Sequence, residues 1–594
     1  MTERSFRWRL PEIAIALLAL ASSGMGIVNR FAYDDRYVVE QNAVVHSLHG
    51  WWRGFAMSYW GQEWGGDGYR PITILAFRLE WAIGHGAPQV FHAANILLYV
   101  VASVLVFVLA RKILPLQAAW LAAALFAVHP VHVEAVANIV GQSELLVACA
   151  FLGATILYLR DRMRGDLRPR TAALIALLYA IGCFSKEHAI TLPAILIAAE
   201  LTVIPDATGT RDRVARLRPF YLGLIAIALA FVAARSVVLA DHNFGGFAPF
   251  TPFSTLHISA RDRILTALGV VPEWMRLFFW PARLSSDYGP PDIEIAQGVS
   301  VSQLPGLLLL VAIVALAVVL RRRQRAISFG ICFAALTLLP SSNFVLPAGI
   351  VLAERTLFLP SVGAMLVIGG LSLVATEALR ARLETARIAS LSIWVLALVL
   401  LALGGVRSAS RTKVWHDNEV LLRQAVIDAP RSYHAHFMLG GWDFERKQLR
   451  VGEVELKKAL SLFPYDPYMS FGLAEQYSSV GMCRAAVPLY RWSRGLNPGT
   501  PRTVSYATCL LEVGEYDAAK AEALEVIRTG GNLTVPRRVI FWADSAKAAG
   551  RSVAKAGGAA QVEMSGGQGN PPETVQKATP KQRSGTENGR AKSL

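Results

Sequence analysis

RDRMRGDLRPR, residues 160–170, places five arginines in eleven residues between two long apolar runs. An apolar run of ~20 residues is enough to cross ~30 Å of hydrocarbon, and short basic loops stay on the cytoplasmic side. The stretch therefore reads as a cytoplasmic loop between two spans, and the chain as a polytopic, all-α membrane protein. Composition agrees. The 594 residues are 54% hydrophobic and 17% charged, with a mean hydropathy of +0.39, where soluble proteins carry about 25% charged residues. Disorder over most of the length is excluded, and so is a purely water-soluble enzyme. The net charge of +16 and pI near 9.8 raise the question of nucleic acid. The Arg and Lys residues, however, lie in the short loops without interleaved aromatics, so no nucleic-acid partner is expected; the lipid bilayer is the partner.

Outward from 160–170, the loop charges set the other crossings. Arg4, Arg7 and Arg9 hold the N-terminus inside, ahead of an uncleaved first span. Arg111-Lys112, Arg211–Arg218, RRRQR (321–325) and ALRARLETAR (378–387) are also inside. Residues 30–88, 129–143, Lys186–His188, the region after Ala240 and SSNFVLPAG (341–349) are outside. Eleven crossings satisfy these cues. Residues 264–280 are apolar but carry Pro272, Glu273 and Arg276; charge at membrane depth costs ~3 kcal/mol or more, so this segment reads as re-entrant or interfacial.

Beyond the last span, Pro430, Pro464 and Pro498 recur every 34 residues, the tetratricopeptide (TPR) period. Leu439-Gly440, Ala459, Leu473-Ala474, Tyr477, Gly481, Ala486 and Tyr490 fall in register with them. The expected organisation is a membrane domain over 1–410, about three repeats forming an α-solenoid over 411–550, and a disordered tail over 551–594. Cys483 and Cys509 fall in neighbouring repeats and read as two buried free thiols, a disulfide being the alternative if the tail lies outside.

The suspicious polar residues gather on the outer face. Asp34-Asp35 follows the first span in NRFAYDDRYV (29–38); adjacent carboxylates disfavour each other's ionisation and invite different roles. Arg70 precedes the second span. HPVHVEAV supplies His129, His132 and Glu134, weak candidates for a metal site, and no metal is expected to be required. Lys186, Glu187 and His188 open another span, Arg235 sits at an outer span end, and Glu354-Arg355 follows SSNFVLP. Several cations opposite a carboxylate pair suit an anionic group such as a lipid phosphate. A transporter would place polar groups at the midplane of related halves, and no such internal repeat is visible. A bare scaffold would need one span and no such residues.

In this order, YDD, YRPIT (69–73), HPVHVEAVANIVGQSELL (129–146), KEHAIT (186–191), LPSSNFVLPAGIVLAERTLFLPS (339–361) and RTKVWHDNEVLL (411–422) resemble the transmembrane-and-TPR O-mannosyltransferases (TMTC family) of the GT-C glycosyltransferase superfamily, in particular bacterial relatives. The resemblance implies an inverting transfer of a sugar, mannose first, from a polyprenyl-phosphate donor to a protein hydroxyl. It makes Asp34 the base and Asp35 its support. Arg355, Arg235 and Lys186 would bind the donor phosphate; Arg70, His129, His132, Glu134, Glu187, His188 and Glu354 would shape the sugar or acceptor site. The repeats would hold the acceptor protein; short loops and the Ala/Leu/Arg bias suggest a bacterial inner membrane with the repeats in the periplasm, an endoplasmic-reticulum membrane obeying the same physics. A cell-envelope glycan or lipid is the alternative acceptor, and a non-enzymatic scaffold the second alternative.

Overall fold

A computed structural model describes residues 10–60, 68–205, 210–240, 258–382, 386–528 and 533–548. The expected disordered tail lies outside these residues. Among them the chain is helical throughout, with one isolated bridge, Tyr288 to Leu352, and no longer strand.

Two units divide at Phe463/Pro464. The first begins with α1 (Leu10–Ser23), extended by a tight turn to Val28, followed by the outer segment and α2 (Pro71–Gly84). Next come α3 (Pro88–Ile113), α4 (Leu116–Ala127), α5 (Val133–Ala137), α6 (Gln142–Arg162), α7 (Pro169–Ser185), α8 (Leu192–Thr202) and α9 (Thr210–Val238). Proline opens α2, α3 and α7, where its missing N–H costs nothing and its fixed φ suits a helix start. Then follow α10 (Ala260–Phe279), α11 (Leu304–Leu320), α12 (Arg325–Leu338), α13 (Phe358–Arg382) and α14 (Ala386–Thr412).

This is a multi-pass membrane protein. Every segment expected to cross is helical, but length and apolarity divide them. Among the described residues seven are long and apolar enough to span, and α4 with Pro130–Ala137 makes an eighth, bent by 47°. Pro169–Ser185 and Arg325–Ser341 are shorter apolar helices, and α8 has only 11 residues. The expected eleven thus exceeds the seven or eight long spans, because loop charge reveals direction but not helix length. The span Ile139–Arg162 is 78% buried inside the protein, whereas Arg211–Val238 and Val301–Leu320 are 11% buried; the first is central and the other two face outward. Between α12 and α13 the backbones nearly touch: a Cβ on Gly363 would meet the Gly330 carbonyl, the small-residue contact that lets membrane helices approach. α10 is not among the span candidates and carries one buried face from Arg263 to Phe278.

The first unit ends with α15 (Asn418–Asp428), α16 (Tyr433–Glu445) and α17 (Leu449–Leu462). The second, taken by itself, has α18 (Pro467–Ser479), α19 (Cys483–Leu496), α20 (Val504–Glu512), α21 (Tyr516–Arg528) and α22 (Thr534–Ala548). Pro430, Pro464 and Pro498 each stand two residues beyond a helix end, at Asp428, Leu462 and Leu496. Cys483 and Cys509 form a disulfide, with Cα atoms 4.8 Å apart, which corrects the expectation of free thiols. Linear spacing could not tell that the start of α19 faces α20 so closely.

Candidate active site

The acidic turn is held at three points by the 412–418 segment. Asn29 donates to the Thr412 carbonyl (3.3 Å), the Arg30 N–H to the His416 carbonyl (2.7 Å) and the Tyr33 N–H to Asn418 Oδ1 (2.6 Å). Tyr33 packs its ring edge-on to buried Trp415, centroids 6.4 Å apart. These contacts fix Tyr33 at a φ of 56°, a left-handed conformation that costs an L-residue about 1–2 kcal/mol. A π-turn, Arg36–Glu40, follows. Strain of this kind persists only where surrounding contacts over-determine it.

The two carboxylates diverge as expected of sequence neighbours. Asp35 is fully buried and accepts from the Ala32 N–H (3.2 Å) and Val140 N–H (2.9 Å), tying the turn to the 138–141 segment. Burial pushes its pKa up to about 8, against the lowering pull of those N–H groups. Asp34 is partly exposed. Its carboxylate takes no hydrogen bond or ion pair from any described residue, while its carbonyl accepts from Tyr37 and Val38. Burial raises its pKa; Arg355 opposes that, Glu134 adds to it, and His434 and Arg70 oppose it in turn. A carboxylate held upward and left unbonded can accept a proton.

Around it stand paired charges. Arg355, in the turn before α13, donates its N–H (2.8 Å) and its guanidinium to buried Glu134 of α5. Arg70 bonds Glu187 (3.2 Å), which also accepts from the Tyr69 N–H (3.4 Å), and lies 4.7 Å over the Tyr59 ring. Lys186 bonds Glu144 of α6 (2.6 Å), with His188 3.4 Å from the same carboxylate. The fields of Arg70 and Arg355 both reach Lys186, and Arg235 on α9 acts on Glu187. Asp34, Arg355, Glu134, Arg70, Lys186, Glu187 and Arg235 thus form one electrostatic neighbourhood.

Other expected site residues are committed elsewhere. His129 Nε2 lies 3.0 Å from the Phe278 carbonyl, and His132 bridges Tyr99 Oη (3.1 Å) and Ser361 Oγ (2.8 Å). Their ring nitrogens are directed away from a common point, and among the described residues no group of three His, Cys, Asp or Glu side chains is arranged to hold a metal. Glu354 accepts from the Ser285 N–H (2.7 Å) and Tyr288 Oη (2.6 Å), anchoring the segment after α10.

Three participants escaped the sequence reading. Glu144 neutralises Lys186; an ionisable residue inside a span is a functional signal that QSELL carried. His434 begins α16, 2.8 Å from Asp287 Oδ1, and the Ser432 hydroxyl donates to the same carboxylate. Asp287 and His434 lie far apart in sequence, and only the fold brings them to Asp34.

No family model matches the chain. Curated relatives do. Protein O-mannosyl-transferase Tmtc2 of Drosophila melanogaster is 37% identical over 269 residues, 44% of this chain and 28% of that protein. Protein O-mannosyl-transferase TMTC3 of Mus musculus is 25% identical over 79% of this chain and 53% of its own length. Protein O-mannosyl-transferase TMTC4 of Mus musculus is 26% identical over 72% of this chain and 62% of its own length. The resemblance carried by the motifs is therefore shown over much of the chain, and the chain spans about half the length of the curated relatives it matches. Among solved structures, an archaeal oligosaccharyltransferase from Archaeoglobus fulgidus, in complex with an inhibitory peptide and a dolichol-phosphate, is 13% identical. Its TM-score is 0.33, over 69% of this chain and 56% of that one.

Proposed function

We propose that this chain is an inverting glycosyltransferase that moves a sugar, mannose first, from a polyprenyl-phosphate carrier to a serine or threonine hydroxyl of a protein on the outer face of its membrane. The observation that carries this is the contrast within the acidic pair. Asp35 is consumed by backbone N–H groups, while Asp34 stands unbonded among cations. In the proposed step the acceptor oxygen attacks the anomeric carbon, Asp34 takes its proton, and the sugar–phosphate bond breaks. Negative charge grows on the departing phosphate, so cations placed there favour the transition state over the ground state. Arg355, Lys186 and Arg235 fill this role, with Glu134 and Glu144 balancing the first two until donor binds. Arg70, Glu187 and His188 border the sugar. The repeat helices would hold the acceptor as a TPR solenoid, and the disulfide suits an oxidising, non-cytosolic compartment.

The test is transfer from radiolabelled polyprenyl-phosphate mannose by the purified full-length protein to a membrane-and-soluble extract, split into protein, lipid and free-sugar fractions. Label in protein, lost in Asp34→Asn with donor affinity kept, is the expected result. Label in lipid or glycan would replace the acceptor; undiminished transfer by Asp34→Asn would remove the base.

A further inference from the structure

Beside α10 lies a cavity of about 590 Å³ that the proposed step does not use. Its size falls in the ~300–1,000 Å³ range of ligand sites. Gly269 and Arg276 of α10, Asp287 and Glu294 of the following segment, and Asp428 at the end of α15 are among its walls. Arg276 is engaged with Glu273 (2.8 Å) and Asp428 with Arg411. Glu294 is exposed at the rim and makes no ion pair among the described residues. With Glu273, Asp287, Asp292, Glu294 and Asp428 against Arg276 and Arg283, the lining is acidic on balance and suits cationic partners. It is a poor berth for a polyprenyl chain, which would strip water from carboxylates without replacing it. Its wall also reaches the site by contact: Asp287 bonds His434 (2.8 Å), and Ser285 and Tyr288 bond Glu354, the residue before Arg355.

We propose that this cavity is the acceptor site, taking an extended polypeptide segment whose serine or threonine is flanked by basic side chains, with Asp287, braced by His434, as the wall that turns the hydroxyl toward Asp34. This rests on the transferase reading above for its chemistry, but its binding can be tested without turnover. A Cβ on Gly269, in the cavity wall, would meet nothing within 4 Å, so Gly269→Phe is chosen to fill the cavity, and Glu294→Lys reverses the rim charge.

Full-length protein in detergent would be titrated, without donor, with fluorescent nine-residue peptides carrying a central threonine between Lys/Arg or between Asp/Glu. Wild type is expected to bind the basic set about tenfold tighter than the acidic set, and each variant to lose about tenfold for the basic set. Polyprenyl-phosphate mannose affinity should be unchanged in both variants, which excludes misfolding. Equal binding of the two sets, or full basic-peptide affinity in both variants, overturns the proposal. If the peptides behave as expected yet no sugar is ever transferred, the transferase reading fails and the cavity assignment stands. If transfer proceeds and neither variant changes the peptide KM, the cavity assignment fails and the transferase reading stands.

Discussion

Asn418→Ala isolates what the clamp on the acidic turn contributes. Asn418 is buried and its Oδ1 receives the Tyr33 N–H at 2.6 Å. Removing the acceptor leaves that N–H unpaired, at a cost of about 1–3 kcal/mol. Tyr33 can then relax from its φ of 56°, recovering about 1–2 kcal/mol of left-handed strain. The net loss of stability is therefore small, while Asp34, the next residue, loses its position. Misplacing a reacting group by about 1 Å costs about a hundredfold. The expected outcome is a fall in kcat for sugar transfer of about 10- to 100-fold, or roughly 1.4–2.8 kcal/mol in the barrier. Donor affinity and the melting temperature should barely change. Asn418→Asp keeps the acceptor and should restore most of the rate. It should also move the acid limb of the pH–rate profile upward, because a second anion near Asp34 raises its pKa further. The assay is transfer from labelled polyprenyl-phosphate mannose with donor binding measured in parallel. Alanine and aspartate variants equal in rate to each other, or an alanine variant within twofold of wild type, would refute the reasoning.

Other consequences follow from the same geometry. Asp35, with its pKa pushed up to about 8 by burial, keeps its proton in the folded state after the unfolded chain has lost it above about pH 4. Stability should therefore fall as pH rises from about 4 to 8, by about 1.4 kcal/mol per pH unit; Asp35→Asn should flatten that slope in thermal melts while keeping transfer measurable. Closing a 26-residue separation with the Cys483–Cys509 bridge corresponds to about 3.5 kcal/mol of loop entropy. The double serine variant should accordingly show faster proteolysis in residues 464–548, with detergent extraction of the membrane region unchanged. Gly363→Val drives its Cβ into the Gly330 carbonyl; overpacking of this kind costs about 1–3 kcal/mol or more. The full-length protein should melt earlier.

The candidate site was partly legible in the sequence. Asp34 stood out because a carboxylate pair at a span exit is costly to ionise, and Arg355, Lys186 and Arg70 because cations accumulated on the same face. Their counter-ions did not stand out. Glu144 reads as one polar residue in an apolar helix until α7 ends and turns Lys186 onto it. His129 and His132 have the spacing of ligands, but a main-chain carbonyl and two hydroxyls take their nitrogens. No spacing rule reports which hydrogen bonds a buried ring will find.

By itself the sequence determined that this is a multi-pass helical membrane protein. Its apolar runs must bury their backbone polar groups in helices, and the basic loops between them limit how they thread. It also determined the 34-residue beat of prolines that ends α15, α17 and α19, since proline cannot continue a helix. Only the tertiary structure decided the division of labour between Asp34 and Asp35. That division depends on Val140 supplying an N–H from 105 residues away and on Asn418 holding Tyr33 from 385 residues away. Local propensity and periodicity encode elements. Which carboxylate is satisfied and which is left to react is set by contacts between elements, and these exist only once the chain has packed.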